Sequence, residues 1–311
     1  MSDKQAGIIR ENARYHRPVL LNETIQYLDP QPGDQFIDAT FGFGGHSFRL
    51  LECIQPGGAI LAFEWDPQIV AIMKKELMKN NLDKKINLRN KNFSQIKRVA
   101  QKEGFMSVKG IIFDLGVSNW HFKQAKRGFS FQQNEPLDMR INPNQIKLTA
   151  FEVVNYFSES QLTEVFKNYG EESASRRIAK EIVQQRKQKK IETTEDLAEI
   201  VLRAKGGNRN SKIHPSTKVF MALRSFINGE LDNLKQGLQG GYDLLQPGGK
   251  IVVLSFQGLE DVVIKQIFRN LKKLGAKVLT KNVVRPTASE VNENPSARSA
   301  KLRALMKPVN Q

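Results

Sequence analysis

A single cysteine, Cys53, occurs in 311 residues, so no disulfide can form within the chain. It lies in the apolar stretch RLLECI, without a neighbouring His or a cluster of cations, and reads as a small buried residue rather than an activated thiol. Histidine is also scarce. The four residues, at positions 16, 46, 121 and 214, are dispersed and offer no metal-ligand spacing, so no catalytic metal is expected. No apolar run approaches the roughly 20 residues that cross a bilayer. The leading MSDKQAGIIRENARYHRP has no apolar core, which argues against a secretory signal, and its Asp3 and Glu11 argue against a mitochondrial transit peptide. The expectation is a cytoplasmic protein with no membrane partner. There is no internal repeat and no low-complexity tract.

What the chain does have is positive charge. Lys and Arg number 48 against 32 Asp and Glu, a formal net charge of +16. Such a balance favours an acidic polymer as partner. The cations are clustered: Arg176, Arg177, Lys180, Arg186, Lys187, Lys189 and Lys190 stand against Glu181 alone, and Arg298, Lys301, Arg303 and Lys307 stand in a tail without any acid. Clustering suits phosphate contact better than uniform solubilisation does. The clusters lack interleaved Trp or Phe, which disfavours a membrane-surface helix.

The first half alternates strand and helix signals. Apolar strands are expected at Gln35–Ala39, Ala59–Phe63, Ile86–Arg89 and Gly110–Asp114. Between them, helices are expected from His46 to Ile54, after the Asp66 cap with Pro67 at the first turn, and after Ser94. Continuous apolar strands alternating with helices indicate an open parallel α/β sheet covered on both faces. Leu115–Lys147 has no clean period. From Thr149 to Gly206 the pattern is helical, with capping boxes at Thr149/Glu152 and Thr193/Asp196, and it closes on Gly206-Gly207-Asn208. A long helix after Pro215 runs toward Gln239, followed by a buried strand at Lys250–Phe256, a helix over Glu260–Leu274 and a last strand at Ala276–Val284. The expected organisation is a discontinuous sheet domain, 1–125 with 214–311, and an all-helical insertion, 126–213.

The first strand ends in Asp38, followed by Ala-Thr-Phe-Gly42-Phe-Gly44-Gly45. An acid and then Gly-x-Gly at a strand-to-helix turn suits a nucleotide cofactor, because glycine lets the backbone approach the ligand. Glu64 follows the second strand, where a carboxylate can accept from ribose hydroxyls. A dinucleotide loop commonly has a third glycine, and Ser47 stands there instead. A cofactor without phosphate, S-adenosyl-L-methionine, fits this looser loop better, with NAD as the alternative. Phe93 can cover an adenine face or simply pack in the core. Asp114 ends the fourth strand, so Asp38, Glu64, Phe93 and Asp114 are expected to gather beyond the carboxyl ends of the strands.

These residues belong to ordered blocks that run from about His16 to Arg303: HRPVLLNE (16–23), DATFGFGGHS (38–47), DLGVS (114–118), RGFSF (127–131), PLDMR (136–140), YGEE (169–172), ALR (222–224), PGGKIVVLSF (247–256), LED (259–261), and NP with RSAKLR (294–303). In them the chain resembles the bacterial small-subunit rRNA (cytosine-N4)-methyltransferases of the MraW, or RsmH, family. The resemblance implies a class I, Rossmann-like methyltransferase sheet with an inserted helical domain for substrate recognition. It also implies methylation of a cytidine N4 in the decoding region of 16S rRNA, with rRNA or the assembled small subunit as partner. Gly44, Gly45, His46, Glu64, Phe93, Asp114 and His121 match cofactor-contacting positions. Glu64 stands where the family usually has Asp, and His121 where many members have Gln. Further departures are Asn119-Trp120-His121-Phe122 for Ser-Pro-Gln-Leu, Gln257 and Gly258 for His-Ser, Met221 for Gln, and Ser296 for Arg. The changes at Gln257 and His121 keep open a second reading, an rRNA-binding ribosome-assembly factor with weak or lost methyl transfer. Whether the chain acts alone or as a homodimer also stays open.

Methylation of the poorly nucleophilic cytosine amino group calls for in-line positioning and an acceptor for its protons. Asp114 is the candidate catalytic acceptor, with loop ordering as its alternative role. A target base must leave its stack, and Trp120, Phe129 and Phe131 are candidates to receive it, with plugging the domain junction as the alternative role, above all for the two phenylalanines. Arg127, Arg140, Arg176, Arg177 and Arg298 are candidate RNA contacts, while Asp138 is expected to fix a loop through an ion pair.

Overall fold

The computed structural model describes residues 17–207 and 214–309; His16, Asn208 and the leading segment lie outside the described residues. The chain divides into two compact units, Met1–Gly116 with Leu231–Gln311, and Val117–Glu230. The unit boundaries thus fall at 116/117 and 230/231, beside expected ones at 125/126 and 213/214.

The first unit is built on a seven-stranded sheet: β1 Gln35–Asp38, β2 Ala59–Glu64, β3 Ile86–Asn90, β4 Val108–Asp114, β5 Leu245–Ser255, β6 Lys277–Val278 and β7 Lys301–Met306, in the order β3-β2-β1-β4-β5-β7-β6. β1 to β5 pair in parallel. Their centres are apolar and buried, including Ile37, Leu61, Phe63, Ile111, Phe113 and Val253, because helices cover both faces of a parallel sheet. Strand order reverses between β1 and β4, and Asp38 and Asp114 stand at their carboxyl ends, the place where open α/β sheets bind ligands.

The expected parallel sheet holds for β1 to β5, and the full sheet is mixed. β7 runs antiparallel between β5 and β6. The segment expected as the last strand contributes only Lys277–Val278, and the tail taken as a basic cluster supplies β7. Two charges alternate with buried Leu302 and Ala304 in KLRALM, as in a strand with one wet face. These cations are used internally. Arg303 Nε donates to Asp261 Oδ1 at 2.6 Å, Lys301 lies 3.8 Å from the same carboxylate, and Lys307 Nζ donates to the Leu245 carbonyl. Arg298 is the exposed member of the tail set.

Burial acts to raise the Asp261 carboxyl, but Arg303, Lys301 and Lys265 hold it below the usual range. Its stabilising contribution is therefore present above the ordinary Asp pKa and lost as pH falls through the depressed one. Asp261→Asn is expected to cost the first unit about 2 kcal/mol, because it strips a mostly buried guanidinium of its partner. A urea titration at neutral pH measures this, and the difference from wild type should shrink in acid.

The second unit is helical, with helices Asn119–Lys123, Ala150–Tyr156, Glu159–Gly170, Ser175–Gln185, Thr194–Ala204 and Thr217–Asn228. Capping boxes at Thr149/Glu152, Ser158/Gln161 and Thr193/Asp196 start three of them. Leu137, Val153, Phe166, Ile182, Leu197 and Leu223 belong to its core. The single long helix expected after Pro215 is two, because Gly229 adopts φ +60° and ends Thr217–Asn228 before Glu230–Leu244 begins. Asn92, rather than Ser94, caps the turn after β3. Among the described residues, no helix is long and apolar enough to cross a membrane.

Candidate active site

The turn from β1 into helix Gly45–Ile54 is held by two carboxylates. Asp38 accepts from the Thr40 N–H at 3.0 Å and from Ser47 Oγ at 2.7 Å. Glu64, at the end of β2, accepts from the Gly42 N–H at 3.0 Å and the Asp66 N–H at 2.7 Å. Thr40 also reaches across the strands, where its Oγ1 accepts from the Asp114 N–H at 2.6 Å. Between these anchors Gly42 and Gly44 both take positive φ, +53° and +80°. A Cβ on Gly44 would press on Phe48 at 2.6 Å and Phe41 at 3.0 Å, whereas one on Gly42 would meet nothing nearer than the Thr40 carbonyl at 4.0 Å. Gly44 is thus a packing glycine, and Gly42 leaves open space over the turn.

His46 follows in the first turn of the helix. Its ring is 5% exposed, with Nε2 3.1 Å from the Val19 carbonyl and Nδ1 3.6 Å from Asp114 Oδ2. The N-terminal block joins the site here: a Cβ on Gly45 would touch Pro18, Leu20 N–H donates to Glu290, and Arg17 pairs with Glu293. Segments far apart in sequence (17–20, 38–47 and 290–293) therefore meet in one unit. Phe93 is half-buried, with its edge-to-face partner Phe113 at 5.6 Å, and it lies so close to Gly237 that a Cβ there would collide with the ring.

The first unit accordingly brings together Gly44, Gly45, His46, Glu64 and Asp114. Residues that the sequence did not single out for the site are Thr40, Ser47 and the Val19 carbonyl. An Asp-x-Thr turn after a strand was the available signal for Thr40. His121 belongs to the second unit, where its Nδ1 accepts from the Ser118 N–H at 3.2 Å and its ring packs edge-on against Trp120 and Phe129.

Three of the expected RNA contacts are engaged by partners within the second unit. Trp120 is 7% exposed. Arg127, 8% exposed, donates to the carbonyls of Arg140 and Ile141 at 2.7 and 2.8 Å and lies over Trp120 and Phe129. Arg140 makes a two-point pair with Asp138 at 2.8 and 2.7 Å, the loop-fixing ion pair expected of Asp138. These side chains brace the irregular segment, which has no long helix or strand of its own to order it. Phe129 is buried, and Phe131 stacks on His214 at 4.4 Å. Arg176 and Arg177 are exposed and share an open depression with Lys180, Ser173, Ala174 and Glu159. The departures from the family pattern fall in both units. Gln257 caps helix Gly258–Lys273 and donates to Glu260, so that change sits in a local cap.

Asp38, Glu64 and Asp114 give the turn a surplus of carboxylate. A cationic, phosphate-free ligand fits that donor set, and a pyrophosphate would be repelled by it. Burial pushes Asp38 up from the ordinary Asp range, and burial likewise pushes Glu64 up to about 7. A ribose hydroxyl needs the ionised carboxylate as acceptor. Affinity for S-adenosyl-L-methionine is therefore expected to rise as pH passes 7 and to fall below it, approaching about tenfold per pH unit. Equilibrium dialysis from pH 8 to 6 measures this, and Glu64→Gln should flatten the profile.

Sheet order, glycine turn and carboxylate set fit a class I methyltransferase, and the family match that follows makes S-adenosyl-L-methionine its cofactor. A family model described as the MraW methylase family matches residues 13–308, and the chain belongs to that family. It is 42% identical over 301 residues to the ribosomal RNA small subunit methyltransferase H of Ehrlichia canis (strain Jake), covering 94% of this chain and 99% of the relative. It is also 42% identical over 305 residues to the protein of the same name from Thermomicrobium roseum, covering 93% and 92%.

Proposed function

We propose that this protein methylates the exocyclic N4 of a cytidine in the decoding region of 16S rRNA, acting on small-subunit rRNA or the assembled small subunit. The observation that carries the reading is the Asp38–Glu64–Asp114 turn at the strand-order reversal, in a chain whose relatives over nearly its whole length are small-subunit rRNA methyltransferases. S-adenosyl-L-methionine supplies an electrophilic methyl group when bound. Glu64 would hold its ribose, Phe93 its adenine, and the Gly42–Gly45 backbone would lie along it.

The chain's own part in the chemistry is to place the cytosine amino group and to take up its proton. Asp114 sits at the end of β4, with its backbone fixed by Thr40, and its carboxylate is the acceptor. The second unit would recognise the RNA. Of the cations first considered, Arg176, Arg177 and Arg298 remain suited to phosphate because they are exposed.

The direct test is transfer of labelled methyl to small subunits from a strain lacking the gene, followed by nucleoside analysis. Label in N4-methylcytidine supports the reading. Cofactor binding without any label would favour an rRNA-binding assembly factor instead.

A further inference from the structure

The surroundings of His46 hold more than a cofactor contact requires. A carbonyl oxygen can only accept, so His46 Nε2, 3.1 Å from the Val19 carbonyl, carries a hydrogen. In the neutral ring Nδ1 is then a lone pair, and it faces Asp114 Oδ2 at 3.6 Å. The two side chains are only 5% and 10% exposed. Two acceptors opposed across such a dry gap repel unless a proton enters between them. The neighbouring Asp38, 1% exposed, adds a third titratable group that acts on both.

Resting on the methyl-transfer reading above, we propose that His46 and Asp114 form a proton store: the ring is neutral while a sulfonium cation occupies the site and becomes imidazolium once the methyl group has left. Methylation of an amino nitrogen forms an N–C bond, leaves the S–C bonding pair on sulfur and breaks one N–H bond. The released proton passes to the Asp114 carboxylate and is held against His46 Nδ1. One positive charge disappears at sulfur as another appears on the ring, so the charge of this buried pocket is unchanged through the reaction. His46 is thus a positioning residue that acts through Asp114. Its uptake of the proton at Nδ1 depends on the Val19 carbonyl fixing the tautomer.

The consequence is readable without turnover. The demethylated product, S-adenosylhomocysteine, lacks the cation and should bind together with a proton, whereas S-adenosylmethionine should not. Glu64 is pushed up to about 7 by burial but would hold the ribose common to both ligands, so it cancels in the ratio of their dissociation constants. Among the described residues, Asp38, at the end of β1, and Asp114, at the end of β4, act on the ring.

The experiment is calorimetric titration of both ligands from pH 8 to 6 with wild type and His46→Gln. Glutamine keeps a donor for the Val19 carbonyl and removes the ring nitrogen that faces Asp114. In wild type the preference for S-adenosylhomocysteine should grow about tenfold across the range, and it should stay flat in His46→Gln. Repeating the wild-type titration in buffers of different ionisation enthalpy gives a second reading that needs no variant: proton uptake with S-adenosylhomocysteine beyond that with S-adenosylmethionine. A flat wild-type ratio, equal proton uptake, or a slope that survives in His46→Gln overturns the proton store. Failure of both ligands to bind at any pH overturns the methyltransferase reading itself, and the store with it.

Discussion

Substituting Asp114 with asparagine lowers the rate of methyl transfer by about a hundredfold or more while S-adenosylmethionine still binds. Asparagine has the same shape and leaves the backbone N–H free to donate to Thr40 Oγ1, so the end of β4 keeps its place. What it loses is the ability to take up a proton. A group that removes the amino proton as the N–C bond forms is felt in the chemical step, so the loss should appear in single-turnover rate at saturating cofactor. The alternative role, ordering the loop and holding the cofactor, makes the opposite prediction: weaker cofactor binding with the saturated rate little changed. Turnover within threefold of wild type would remove Asp114 as the acceptor.

The second large effect is expected from a methyl group. Gly44→Ala forces an L side chain into φ +80° and drives its Cβ to 2.6 Å from Phe48 and 3.0 Å from Phe41. Left-handed backbone costs about 1–2 kcal/mol and overpacking about 1–3 kcal/mol more. The first unit should therefore lose a few kcal/mol of stability, seen as a lower thermal midpoint, and cofactor binding should weaken with it. Gly42→Ala is the informative partner. Its Cβ enters open space, so the fold should suffer only the backbone term, while the ligand loses the room it needs. If Gly42→Ala binds the cofactor as well as wild type does, the turn is not the cradle described above.

The contrast between these glycines was not legible in the sequence, which presents both only as members of a Gly-rich turn. Signals that act locally were readable. Asp66 caps its helix and accepts from the Gln68 N–H, both capping boxes form, and the apolar runs at Ile60–Phe63 and Ile111–Phe113 are interior strands. Signals whose meaning depends on a distant partner were not. Lys301 and Arg303 look like a basic tail until Asp261, on a helix some forty residues earlier, is brought beside them. Trp120, Arg127 and Arg140 lie in a stretch without periodicity, so nothing local distinguishes a side chain aimed at solvent from one that braces the segment. His46 was read from its block, but its acceptor, the Val19 carbonyl, is a backbone atom and leaves no mark in the residue pattern.

The sheet of the first unit is assembled from segments made at very different times. Its central pairing, β4 with β5, joins residues on either side of the whole second unit. During synthesis the ribosome therefore completes β1 to β4 and then delivers Val117–Glu230 before β4 acquires its second neighbour, β5. The second unit is contiguous and can close as soon as it emerges. The half-made sheet meanwhile carries an uncovered edge of buried-type residues, an invitation to wrong pairing between nascent chains. Slow passage through the middle of the message would lengthen that exposure. This enzyme's dependence on chaperones should accordingly be set by the interval between its two halves rather than by its final stability.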